Sequence, residues 1–273
     1  MMERSQEQLL KAVQAAFAGG LSIMKVYSKK VFKTELKKDL SPVTEADHAA
    51  HRIIAGQLEH TAIPILSEEG KEVPYEVRKQ WKKFWLVDPL DGTKEFIRRN
   101  DEFTVNIALI EGQAPVLGVI YAPCQDIMYY ASDLLGAYRI MEYAEKDGTI
   151  QNLQDLMGHA EKLPGKIPRK PYTAIASRSH RNEETDLFIL GLQKEHLGLK
   201  FVSTGSSLKF CVMAEGKADI YPRFGPTMEW DTAAGHAIAR ASGCSVKIHD
   251  REDDLVYNKE DLLNPWFIVT RTP

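Results

Sequence analysis

The sequence has 273 residues, 44% hydrophobic and 27% charged, which is enough apolar material for one large globular domain or two moderate ones. Its net charge of −3 excludes the basic surface of a duplex-binding protein, so no nucleic-acid partner is expected. Residues 1–8 are too polar for a signal peptide, and no apolar run reads as long enough to cross a bilayer, so no transmembrane segment is expected.

Along residues 8–26, Leu9, Leu10, Val13, Ala16, Phe17, Leu21, Met24 and Val26 recur at helical spacing and predict one packed face. Gly19-Gly20 weakens that helix and marks a kink or a tight contact. Ser41-Pro42-Val43-Thr44 then punctuates the chain. Thr44, with Asp47 three residues on, has the form of an N-terminal cap, and Ala46, Ala50, Ile53, Ile54 and Leu58 follow at helical spacing. From spacing alone Asp47 is a capping residue, because the helix dipole favours a carboxylate in the first turn.

A short apolar run, 63–66, ends in the acidic pair Glu68-Glu69, and the charged stretch 70–83 is expected to be exposed. The most informative segment is 84–96, F-W-L-V-D-P-L-D-G-T-K-E-F. Its first four residues predict a buried strand. Pro89 fixes φ and removes a donor, so a rigid turn would let Asp88 and Asp91 face one point. Carboxylates held that close repel unless a cation lies between them, and a hard divalent ion such as Mg2+, which takes oxygen ligands, suits the pair. An isolated D-x-x-D would be turn decoration; two strands that both end in acid favour a metal site.

Residues 103–110, 116–122 and 127–131 read as successive strands of an antiparallel sheet, giving an α+β first half. Asp147-Gly148 and the Pro- and Lys-rich 161–171 read as loop or linker, which divides the chain into 1–160 and 161–273. Beyond it the pattern alternates: strands at 172–176, 200–203, 218–221, 245–248 and 266–270, and helices at 183–196, 206–215 and 232–242, an α/β second half. Asp231 is either an N-cap or part of an anion site, since Ala233, Ala234 and Gly235 would let a phosphate approach the helix end. His180, Ser206 or Ser207, Lys209 and Arg223 add hydroxyl and cationic donors suited to a polyanion. Cys124, Cys211 and Cys244 lack any C-x-x-C spacing and read as reduced, half-buried thiols of a cytosolic protein.

Taken together, Asp88-Pro89-Leu90-Asp91-Gly92-Thr93, Trp230-Asp231-Thr232-Ala233-Ala234-Gly235, the upstream Glu68-Glu69 and Ser41-Pro42-Val43-Thr44-Glu45-Ala46-Asp47 resemble the inositol monophosphatase-like superfamily of metal-dependent, lithium-sensitive phosphatases. Leu66-Ser67-Glu68-Glu69, Lys94-Glu95-Phe96 after the D-G-T, and residues 103–110 look like its bacterial 3'(2'),5'-bisphosphate nucleotidase branch. The resemblance implies the layered α-β-α-β-α sandwich of the inositol monophosphatase and fructose-1,6-bisphosphatase type. It implies that Glu68, Asp88, Asp91, Asp231 and the Leu90 carbonyl hold two or three Mg2+ ions, and that Asp47 and Thr93 polarise the attacking water. Gly92, Thr93, His180, Ser206, Lys209 and Arg223 would hold the substrate, a small nucleotide bisphosphate. The activity implied is hydrolysis of adenosine 3',5'-bisphosphate (PAP) to AMP and phosphate, with PAPS to APS as a second reaction, in cytoplasmic sulfur metabolism. Two alternatives stay open: a sugar phosphatase of the same superfamily, such as an inositol monophosphatase, and a non-catalytic Mg2+-nucleotide sensor. Peripheral attachment to the cytoplasmic face of the inner membrane, and the oligomeric state, are left undecided by the residues.

Overall fold

The computed structural model describes residues 2–36, 42–167, 171–175 and 182–272. Helix α1 (Met2–Tyr27) runs unbroken through Gly19-Gly20. The glycines serve close contact, not a kink: a Cβ on Gly19 would come within 2.7 Å of Ile54, and one on Gly20 within 2.5 Å of Tyr121. A ribbon, β1 (Thr34–Leu36) and β2 (Pro42–Thr44), leads into α2 (Glu45–Glu59), which packs beside α1. Residues 5–27 of α1 have the length and mean apolarity of a membrane span, against the expectation that no such run exists. Its Leu9, Ala12, Val13, Ala16 and Ile23 are fully buried in the core, however, which is the place of a core helix.

Next come β3 (Ile65–Ser67), the short helix α3 (Tyr75–Arg78), β4 (Lys83–Asp91), α4 (Thr93–Arg98) and the strands β5 (Thr104–Glu111), β6 (Ala114–Ala122), β7 (Ile127–Ser132) and β8 (Gly136–Met141). Helices α5 (Tyr143–Lys146) and α6 (Leu153–Gly158) precede β9 (Glu161–Leu163). Strands β3 to β9 form one seven-stranded sheet in sequence order, antiparallel throughout except for the parallel pair β3 and β4. Strand β9 lies in the stretch expected to be linker, so this sheet reaches Leu163. The stretch expected to be exposed holds α3, whose Arg78 is 3% exposed.

The second half contains β10 (Thr173–Ile175), α7 (Glu183–Glu195), β11 (Lys200–Val202), α8 (Leu208–Ala214), β12 (Ile220–Arg223), α9 (Glu229–Ala241), β13 (Cys244–Ile248) and β14 (Phe267–Arg271). Its five-stranded mixed sheet has the order β11-β10-β12-β14-β13. Helices α1 and α2 cover one face of the large sheet. Helices α8 and α9 lie between the two sheets, and α7 covers the outer face of the small one. These layers are the α-β-α-β-α sandwich.

Because both faces of the large sheet are covered, β5 is apolar on both sides, and its period-two alternation sorts residues between the two cores. Val105, Ile107 and Leu109 join the α1/α2 core, whereas Ala108 and Ile110 join the α8/α9 core. Small residues let α9 lie against this sheet. A Cβ on Gly118 of β6 would come within 2.4 Å of the Ala234 carbonyl, and one on Gly235 within 2.4 Å of Phe210 in α8. The expectation that Ala233, Ala234 and Gly235 open the helix end to a phosphate is therefore corrected: all three are buried in packing. Of the cysteines, all free, Cys211 and Cys244 are fully buried and Cys124 partly so.

Candidate metal and phosphate site

Strand β4 does not stop at Val87 as the sequence suggested; it continues to Asp91 through an irregularity. Trp85 and Val87 face the α1/α2 core, and Phe84 and Leu86 face α8 and α9. By strict alternation Asp88 and Asp91 would point to opposite faces. The register against β5 prevents this: Asp88 pairs with Asn106 and Asp91 with Thr104, so β4 spends one residue more than its partner between those pairs. That bulge shifts the phase, returns Leu90 to the α1/α2 core, and brings both carboxylates out toward α8 and α9. Pro89 is tolerated there because a bulge frees one residue from the ladder. Gly92, at φ +92°, turns the chain into α4, where a Cβ would press within 3.2 Å of the Glu102 carbonyl.

Glu68 arrives from β3, its N–H donating to the Val87 carbonyl at 3.1 Å and so extending the parallel pairing toward Asp88. Asp231 arrives from the other half as the third residue of α9, its carboxylate accepting the Met228 N–H at 2.8 Å. It is thus not an N-cap but an acid of the first turn. Asp91 and Asp231 line, with Glu68, one cavity of about 260 Å³ between the halves. Asp88 lies behind them, 1% exposed. Burial pushes the Asp88 carboxyl well above the usual range, and Glu68, Asp91 and Asp231 push it further. Asp231 is raised for the same reasons, burial first and then Asp91 and Glu68. Among the described residues no three of these side chains are already drawn into a ligand cage. Four carboxylates gathered in one partly desolvated place, with oxygen as the only donor type, suit hard divalent cations.

Asp47 has two jobs, one per oxygen. Oδ2 accepts from the Thr44 N–H at 2.8 Å and the Thr44 hydroxyl at 2.6 Å, completing the cap expected from the sequence. Oδ1 accepts from the Thr93 hydroxyl at 3.1 Å. Asp47 is 2% exposed and its carboxyl is raised by burial, against the Thr44 hydrogen bonds that lower it.

The cavity is also lined by cations. Lys209 in α8 is buried, its Nζ donating to the Ser206 carbonyl at 3.0 Å, and burial followed by Arg223 lowers its pKa to about 8. Arg223, at the end of β12, donates through Nη2 to the Pro226 carbonyl at 2.9 Å, while its buried Nε has no hydrogen-bond partner among the described residues. Ser206 and Ser207, read as substrate contacts, both direct their hydroxyls to Asp91 Oδ2, at 2.6 and 2.8 Å. His180 lies outside the described residues. Asn106 was not singled out from the sequence, yet its amide reaches Ser207 Oγ at 2.8 Å. The available signal was a lone amide inside the otherwise apolar run 105–110.

The inositol monophosphatase family model matches residues 5–269. The 3'(2'),5'-bisphosphate nucleotidase CysQ of Salmonella typhimurium is 47% identical over 262 residues, covering 94% of this chain and 97% of its own length. The protein of the same name from Escherichia coli K12 is 45% identical over the same coverage. The crystal structure of CysQ from Bacteroides thetaiotaomicron, described as a bacterial member of the inositol monophosphatase family, superposes with a TM-score of 0.91 at 48% identity and covers 98% of each chain. With its layers, its acid-lined cavity and 47% identity to such a relative over nearly its full length, the chain belongs to the inositol monophosphatase family.

Proposed function

We propose that this chain is a Mg2+-dependent 3'(2'),5'-bisphosphate nucleotidase that hydrolyses adenosine 3',5'-bisphosphate to AMP and phosphate, and PAPS to APS. The observation that carries the reading is the make-up of the cavity: the acids Glu68, Asp91 and Asp231 share it with the cations Lys209 and Arg223. A bisphosphate needs both, metal-holding acids for the phosphate that is cut and cations for the phosphate that stays. A sugar monophosphate has no second anion for Lys209 and Arg223 to hold. The curated relatives named above carry the same activity in their names.

Members of the family are in general Mg2+-dependent, and the donor set fits: Glu68, Asp88, Asp91 and Asp231, with the Leu90 carbonyl, would hold two or three ions. Bound there, such ions neutralise phosphate charge and acidify water from a pKa of about 15.7 toward neutrality. The chain's own contribution is orientation. Thr93 gives its one hydroxyl hydrogen to Asp47, so its lone pairs are left to accept a hydrogen bond from an attacking water. Thr44 holds the other Asp47 oxygen and so fixes the direction of that acceptance. Lys209 and Arg223 clamp the non-reacting phosphate, and the buried backing of Asp88 keeps bulk water from competing for the acids. No side chain need be phosphorylated, since a positioned water attacks directly. Cytoplasmic sulfur metabolism is the setting we assign to this chemistry.

The test is phosphate release from adenosine 3',5'-bisphosphate, AMP, inositol 1-phosphate and fructose 1,6-bisphosphate, with and without EDTA. A preference for the adenosine bisphosphate that EDTA abolishes is expected. Preference for inositol 1-phosphate would overturn the substrate assignment, and nucleotide binding without release would make the protein a sensor.

A further inference from the structure

Two residues beside the cavity break local rules in the same direction. Ser206 adopts φ +52°, a left-handed conformation that non-glycine residues avoid. Ser207 occupies the N-cap of α8, yet its hydroxyl makes no capping bond to that helix, which is the usual use of serine at such a position. Both hydroxyls go to one atom, Asp91 Oδ2, at 2.6 and 2.8 Å. Strain and a forgone cap at adjacent positions point to a constraint imposed by the site.

Ser207 is 2% exposed and sits where the two halves of the molecule meet. Its oxygen is also 2.8 Å from the main-chain carbonyl of Asp231, so it touches an acid-bearing segment from each half. Its single hydrogen serves Asp91 or that carbonyl, one at a time. Behind it, Asn106 donates to Ser207 Oγ at 2.8 Å, and the Asn106 amide is itself oriented by the Thr104 hydroxyl at 2.9 Å. With two hydroxyls and Asn106 Nδ2, at 3.4 Å, all in reach of Oδ2, rotation of the Asp91 carboxylate would forfeit these hydrogen bonds.

We infer that Ser207, backed by Asn106, is a positioning residue: it fixes the Asp91 carboxylate so that Oδ1 is presented to the cation, and it couples that presentation to the seating of Asp231. This rests on the cation reading given above, but not on the identity of the substrate. Partners behind a metal ligand commonly alter metal affinity about 10- to 100-fold.

The experiment is Mn2+ binding by the full-length protein, followed by electron paramagnetic resonance, with the melting temperature of the EDTA-treated protein measured in parallel. Ser207→Ala is expected to weaken Mn2+ affinity about 10- to 100-fold with little change in the metal-free melting temperature. Ser207→Thr, which keeps the hydroxyl, should recover most of the loss. Asn106→Ala, which leaves the serine in place, should weaken binding to a smaller degree and serves if Ser207→Ala does not fold. Undiminished Mn2+ affinity in both alanine variants would overturn the positioning role while leaving the cation site standing. A metal-free protein that melts far lower, with affinity intact, would reduce Ser207 to a structural residue. Failure of the wild-type chain to bind Mn2+ would overturn the cation site and this inference together.

Discussion

Glu229 and Asp88 are both buried carboxylates, 0% and 1% exposed, and their surroundings are opposite in kind. Glu229, in the first turn of α9, accepts the Asn258 N–H at 2.6 Å, the Lys259 N–H at 3.0 Å and the Lys259 ammonium at 2.6 Å. The same strap of chain is held from the other side by Arg78, which donates to Asn258 Oδ1 at 3.0 Å and to the Glu260 carbonyl at 2.6 Å. Asp88 accepts one backbone N–H, from Leu90 at 3.0 Å, and its charged neighbours are Glu68, Asp91 and Asp231. The first carboxylate is answered by donors and locks two segments together. The second is surrounded by its own kind, so the chain alone carries a cost there that a bound cation relieves.

That contrast can be broken in order of expected size. Chelation should abolish phosphate release and lower the melting temperature at neutral pH, because cations bind the native acids; at 100 times Kd the stabilisation is about 2.7 kcal/mol. A protein fully active in EDTA would remove Asp88's side of the comparison. Asp88→Asn should cut kcat/KM by more than the roughly 10- to 100-fold of an outer partner, while the metal-free protein melts no lower than wild type. Glu229→Gln is expected to behave in the reverse way. It removes the carboxylate that Lys259 pairs with, leaving its ammonium on the neutral Val256 carbonyl and Asn264 Oδ1, and should lower stability by about 3 kcal/mol in a denaturant titration, with or without Mg2+. A loss that vanished on adding Mg2+ would erase the distinction.

Titration sharpens the same point. Burial, then Arg240, lowers the pKa of His236 from 6.5 to about 3, and its ring nitrogen pairs with the Tyr257 hydroxyl at 3.0 Å. The unfolded chain takes that proton near 6.5 and the folded one refuses it until about 3, so this contribution to stability is present above 6.5 and is lost as pH falls. Asp88 and Asp231 are raised, so in chelated protein their contribution has the opposite sign and grows on acidification. Melting temperatures against pH should therefore fall more steeply below pH 6.5 in Asp88→Asn than in the chelated parent, and less steeply in His236→Gln. The smallest effect expected is in substrate affinity. With a pKa of about 8, Lys209 loses its charge above that value, and KM for the bisphosphate should rise a few-fold there, whereas Lys209→Met should have a high KM with no such inflection. A pH-independent KM in the wild type would take Lys209 out of the substrate-holding set.

Much of the architecture was legible in local pattern. The apolar run ending in acid gave the core strand of the site, the Thr44–Asp47 spacing gave a real cap, and the alternation after residue 171 gave the second layer almost element by element. Strands β8 and β9 escaped because Arg139, Glu161 and Lys162 interrupt their apolar pattern, and α3 because its buried residue is an arginine.

Sequence alone decided which acids exist and that two follow a buried strand, since hydrophobic run length and proline chemistry are properties of neighbours in the chain. The folded chain decided which way those acids face. One added residue between Asp88 and Asp91, relative to β5, turns both to the same side, and register is a relation between strands that no single strand encodes. It also decided that Ala233, Ala234 and Gly235 pack against helix and sheet instead of receiving an anion, and that Ser206 and Ser207 address a carboxylate. Small side chains and hydroxyls suit several partners equally well, and only distance in three dimensions selects among them.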